Sequence, residues 1–221
     1  MLPVSRTASV TNIEAGHRQL RTAIDLFFRE GDAVSVHTLA AAAREIFEKH
    51  CEKQGLGGLF DFPTHAPAVV DLRQAWTVMN AARNFFKHPA DRVEDSIPFD
   101  DSENDAQIYI ACTDCITLSP AGHPVEAGAF LLWSISSANI EWTGEGLPPD
   151  DAAKVRAVMT EMDERLPGLR KAARADKKRW GLGLLEHVRS RPGSHFEQIG
   201  TLMRQYRQEQ LAAARQPRIG N

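Results

Sequence analysis

Six consecutive residues, Arg83-Asn84-Phe85-Phe86-Lys87-His88, hold the densest set of chemically capable groups in this 221-residue chain. An imidazole titrates near neutral pH and can take up or give a proton. A guanidinium keeps its charge and presents a planar fork that fits a phosphate. Lys87 adds a second cation, and the Asn84 amide can orient either neighbour. A proton carrier and an anion clamp of this kind can serve a phosphate-bearing substrate.

The elements that must carry these groups are helices, because apolar residues recur at helical spacing and strand-like alternation is nearly absent. Thr11 and Glu14 have capping-box spacing and open a first helix that runs to Glu30, before Gly31. Asp32 caps a second helix over Ala33 to Lys53, closed by Gly55, Gly57 and Gly58. A third runs from Pro67 to His88 and stops there because Pro89 follows. A fourth covers Asp105 to Leu118 and a fifth Val125 to Asn139; residues 144–149, rich in Gly and Pro, read as a linker. Further helices are expected near 151–165, 168–190 and 194–213, the last with a Ser194 and Glu197 capping pair and a Phe196, Ile199, Met203, Tyr206 stripe. The predicted fold is all-α: a four- or five-helix bundle over 10–142, with a basic helical C-terminal arm over 151–213.

On a wheel of 100° per residue, Leu72, Trp76, Met79 and Phe86 fall within about 40° of one line. Arg83 sits on that same apolar line, where a permanent charge needs an answer, from a carboxylate such as Glu45 or Asp25, from a backbone carbonyl, from a partner chain, or from a phosphate. Asn80 and Asn84 flank it. His88 lies roughly 140° away around an unbroken helix, so Arg83 and His88 meet only if the last turn loosens or two chains pair. His37 and Arg44 share one face of the second helix and join Lys87 and Asn80 as candidate substrate-binding residues.

Arg83 to His88 resembles the Arg-x4-6-His motif of the HEPN superfamily, including the polar residue after the Arg, here Asn84. Its place late in the third of four helices also matches that family's plan over roughly residues 10–120. The resemblance implies a homodimer and a metal-independent endoribonuclease of the toxin or defence type, acting on RNA, with an antitoxin or other protein as a further partner. Arg83 would hold the scissile phosphate, His88 would act as base or acid on the ribose 2′-hydroxyl, and Asn84 would orient the pair. Pro89-Ala90-Asp91 stands where family members often carry a polar or acidic residue and then a Tyr. A non-catalytic interaction or dimerisation module is therefore the alternative.

Other features bound the reading. Residues 1–153 carry 11 Lys and Arg against 22 Asp and Glu, a net of −11, while 154–221 carry 15 against 7, a net of +8. The basic arm, dense at Arg170, Lys171, Arg174, Lys177, Lys178 and Arg179, either binds phosphate-rich partners or docks on acidic residues such as Asp100, Asp101 and Glu103 of its own or a second chain. Cys112-x-x-Cys115, with His50 and Cys51, could be drawn as a zinc set, but it lies in an apolar helical stretch where cysteines act as small hydrophobes. No P-loop, Gly-x-Ser-x-Gly, His-Glu-x-x-His or calcium-loop pattern occurs, and no metal or cofactor is expected. His17 and His37 read first as structural histidines, and Trp76, Phe85, Phe86, Trp133 and Trp142 as core or interface residues. With no apolar run of roughly 18 residues and no signal-like start, the expected location is the cytoplasm, away from membranes.

Overall fold

Thr11 Oγ1 accepts the Glu14 amide at 3.2 Å while the Glu14 carboxylate takes the Thr11 amide at 2.8 Å, so both orphan donors at the start of the first helix are satisfied. In the computed structural model this helix, α1, spans Asn12–Phe28, and α2, capped by Asp32 onto the Ser35 amide at 2.7 Å, spans Ala33–Lys53. The structure describes residues 9–57, 72–88, 94–138, 149, 150 and 167–190 and single positions at 153, 156, 157, 160, 164, 204, 208 and 212, leaving aside the side chains of 72–76 and 78. Then come α3 (Leu72–Lys87), α4 (Glu103–Leu118) and α5 (Val125–Ser137). After a 3-10 turn at Leu169–Lys171, α6 spans Arg174–Ser190. Among the described residues there are no strands, and no helix is long and apolar enough to cross a membrane.

α2 lies at the centre, packed chiefly on α4 and α1, and α5 packs on α4 and α6. Its Ala40, Ala41 and Ala43 are all buried, and these short side chains let neighbouring backbones approach. α1 contributes Leu20, Ile24, Phe27 and Phe28; α4 contributes Ile108, Cys112, Cys115 and Ile116; α5 brings Phe130 and Trp133. The rings of Phe27, Phe28, Phe130 and Trp133 lie 5.2–5.8 Å apart, several edge to face, and weld α1 to α5. Helix α4 is buried nearly all round, which explains why its sequence shows almost no amphipathic face.

The basic arm meets the acidic bundle through α6. Arg174 grips Asp105 with both terminal nitrogens at 2.7 and 2.8 Å and reaches Asp101 at 3.3 Å. Lys178, only 5% exposed, donates to Asp101 at 2.6 Å and sits 4.6 Å above the Phe27 ring. Arg189 pairs with Asp25 and Glu126, and Trp133 donates its indole N–H to the Lys177 carbonyl at 2.7 Å. Of the anticipated acidic partners Asp101 takes part; Asp105 and Glu126 stand where Asp100 and Glu103 had been expected. The region 168–190 is helical only from Arg174, because Gly168 at φ +82° and the 3-10 turn precede it. The Trp142 assignment, the 144–148 linker, the segments 67–71 and 89–91 and the stripe of Phe196, Ile199, Met203 and Tyr206 lie outside the described residues, as do most positions of 151–165 and 194–213.

Candidate functional site

The last turn of α3 is regular. The His88 amide donates to the Asn84 carbonyl at 2.9 Å, an i to i−4 bond, so the turn does not loosen before Pro89. Arg83 and His88 therefore keep their roughly 140° separation within one chain. Asn84, Lys87 and His88 are exposed. Arg83 is 17% exposed and forms an ion pair with Glu45 on α2, which Lys87 also approaches at 3.5 Å. Burial alone would raise the Glu45 carboxyl, but Arg83 and Lys87 outweigh it and hold it below the ordinary carboxylate value. Of the two carboxylates proposed for Arg83, Glu45 is the partner; Asp25 is engaged with Arg29 and Arg189 instead.

Three of the substrate-binding candidates are interior. His37 is fully buried, Arg44 is 1% exposed and Asn80 7%. They cannot present a face to a substrate in a single chain, because His37 and Arg44 lie on the side of α2 turned toward α3 and α4, and Asn80 on α3 meets Arg44 there. Arg44 donates to the Asn80 side-chain oxygen at 2.7 Å, tying α2 to α3. Its surroundings hold the carboxylates of Glu48, four residues on, and of the buried Asp114 on α4. Burial pushes the Glu48 carboxyl above its ordinary value; Arg44 pulls it down and Asp114 pushes it up. Sequence spacing reveals Glu48 as a neighbour of Arg44, one turn along the same face. Nothing in the sequence pairs either with Asp114, since that contact needs α4 docked on α2.

His37 is held in one tautomer. Asn104 donates its side-chain N–H to the Ala33 carbonyl at 3.1 Å, which turns its oxygen toward His37 Nδ1 at 3.1 Å, so Nδ1 carries the proton. Phe86 and Phe99 meet the ring edge to face at 5.8 and 5.2 Å. Desolvation lowers the His37 pKa, against a smaller upward pull from Asn104, and keeps the ring neutral. His37, Phe86 and Phe99 thus brace the end of α3 against α2.

Cys51, Cys112 and Cys115 are free and fully buried. Burial pushes the Cys112 and Cys115 thiols well above their ordinary values, so both stay protonated, the opposite of what a thiolate ligand requires. Among the described residues no group of three or more His, Cys, Asp or Glu side chains is arranged to hold a metal ion. No family model matches the chain, and no curated protein or solved structure is significantly similar to it.

Proposed function

We propose that the chain is an RNA-acting protein of the HEPN type, a metal-independent endoribonuclease whose site is completed by a second copy of the chain. The observation that carries this reading is the end of α3, where Asn84, Lys87 and His88 stand exposed beside an Arg83 fixed in place by Glu45. Two copies paired along α3 would set Arg83 of one against His88 of the other, which one chain does not do. His88 would take the proton of the ribose 2′-hydroxyl as its oxygen attacks phosphorus. The bond to the 5′-oxygen then breaks, and that oxygen leaves protonated. Arg83 and Lys87 would balance the charge that gathers on the phosphoryl oxygens.

A second reading, a non-catalytic helical interaction module, is favoured by the Arg83–Glu45 pair, since a guanidinium already answered by a carboxylate is less available to a phosphate. Incubating RNA with the protein in EDTA separates the two. The endoribonuclease predicts products with 2′,3′-cyclic phosphate ends, a dimer by light scattering, and at least about a 100-fold loss of cleavage in His88→Ala with an unchanged circular dichroism spectrum. Intact RNA with both proteins across several substrates sinks the catalytic reading in favour of the module.

A further inference from the structure

A second set of basic and titratable groups lies away from α3. His17 and Arg21 of α1, His123 with the first turn of α5, and Arg189 of α6 line an open cleft of about 380 Å3. That volume falls in the range of small-molecule sites, roughly 300–1,000 Å3.

The cleft is built around one carboxylate. Glu126, 2% exposed, accepts on the same oxygen from Arg21 Nε at 3.2 Å and from Arg189 Nε at 3.0 Å, and so holds two guanidinium groups side by side. Arg189 is further tied to Asp25 at 2.6 Å, whereas the Arg21 side chain is 57% exposed. Because Glu126 engages Arg21 through Nε, its terminal nitrogens are left to a ligand.

His123 places Nδ1 at 3.2 Å from the Ser119 carbonyl. A carbonyl only accepts, so Nδ1 carries the proton and Nε2 is turned away from it. The His17 ring lies against Phe47, and its pKa is lowered chiefly by burial, then by His123 and Arg21, against a pull from Glu14. The N-cap of α5 is Pro124, which has no side-chain acceptor, so the opening amides of this 13-residue helix have no side-chain cap.

We propose that this cleft is a binding site for a small phosphate ester. Arg21 offers its terminal N–H groups, and the opening amides of α5 ahead of Ala127, whose own amide bonds the Pro124 carbonyl at 3.0 Å, offer more, a donor set suited to a phosphate. The buried Glu126 does not repel the ligand, because two guanidinium groups answer it. The volume leaves room for the esterified group. No described residue of α3 lines the cleft, so this site stands apart from the RNA-acting reading and survives its failure.

The test is a titration of the full chain, with 13C-labelled histidine, by inorganic phosphate and separately by adenosine 5′-monophosphate at constant ionic strength, read from the imidazole resonances. Saturable shifts of His17 and His123, with His50 and His187 unmoved, are the expected result. Arg21→Gln, at an exposed position, should weaken binding at least about tenfold while the buried His37 resonance stays in place, and Arg21→Lys should restore part of it. Tighter binding of the nucleotide than of inorganic phosphate supports the ester, and the reverse order overturns that part in favour of the free ion. Absence of saturable His17 and His123 shifts with both probes, or equal binding by Arg21→Gln, overturns the site. A response confined to His88 also overturns it, and assigns phosphate to the end of α3.

Discussion

Arg44 is the residue on which most of the interior electrostatics turns. Its charge is 1% exposed and answered by the Asn80 oxygen and the nearby Glu48 and Asp114 carboxylates. Removing it strands two like charges between α2 and α4, so Arg44→Ala should cost about 3–5 kcal/mol, read as a lower urea midpoint. His37 sets a pH dependence of the same origin. Its folded pKa lies below the ordinary 6.5, chiefly through burial, so below that value the unfolded chain binds more protons than the native one. Stability is therefore full above about pH 6.5 and falls as the pH drops through the folded pKa. His37→Phe, which keeps a ring between Phe86 and Phe99, should flatten that slope in urea unfolding between about pH 5 and pH 7. His17 shifts in the same direction, so some slope should remain.

At the scale of elements, the helix ends follow from caps and breakers, and the crossings follow from small residues. Gly181 and Gly183 sit two positions apart on α6 in opposite circumstances. A Cβ on Gly181 would meet the Phe28 ring at 2.1 Å, whereas a Cβ on Gly183 would meet nothing within 4 Å. Gly181→Ala should destabilise by about 1–3 kcal/mol, as the α6–α1 crossing is forced apart. Gly183→Ala should stabilise by up to about 1 kcal/mol through helix propensity alone. Thermal melts of the two variants side by side give the comparison, and equal effects would contradict the close crossing. Thr11→Ala removes the capping box of α1 and should cost about 1 kcal/mol in the same melts.

At the scale of the whole molecule, part of the opposition between an acidic body and a basic C-terminal part is answered internally along α6. Arg174, Lys178 and Arg189 together engage Asp25, Asp101, Asp105 and Glu126 from three other segments. Most of these groups are about a third exposed, so salt screens them. Stability should fall as sodium chloride rises above the physiological range, and the combined Arg174→Gln and Arg189→Gln variant should lose much of that salt dependence in denaturant titrations. The same docking draws cations away from nucleic acid: Arg174 and Lys178 are spoken for, and Arg179 pairs with Asp176 along its own helix.

The sequence by itself determined that the chain is helical and where several of the helices end. Thr11 and Glu14, Asp32, the glycines after Lys53 and Pro89 act within a turn or two of chain, and the bounds of α2 coincide with those read from the pattern. It also marked Arg83 as a charge in need of an answer, because that mismatch is visible on a single helical wheel. Only the tertiary structure decided that Glu45 answers Arg83, that His37, Arg44 and Asn80 face inward, and that Asp25 joins Arg189 across 164 positions. Such pairings depend on which helix faces meet, and the choice among competing faces is made by burial of the whole apolar surface at once, a property that no local stretch of sequence carries.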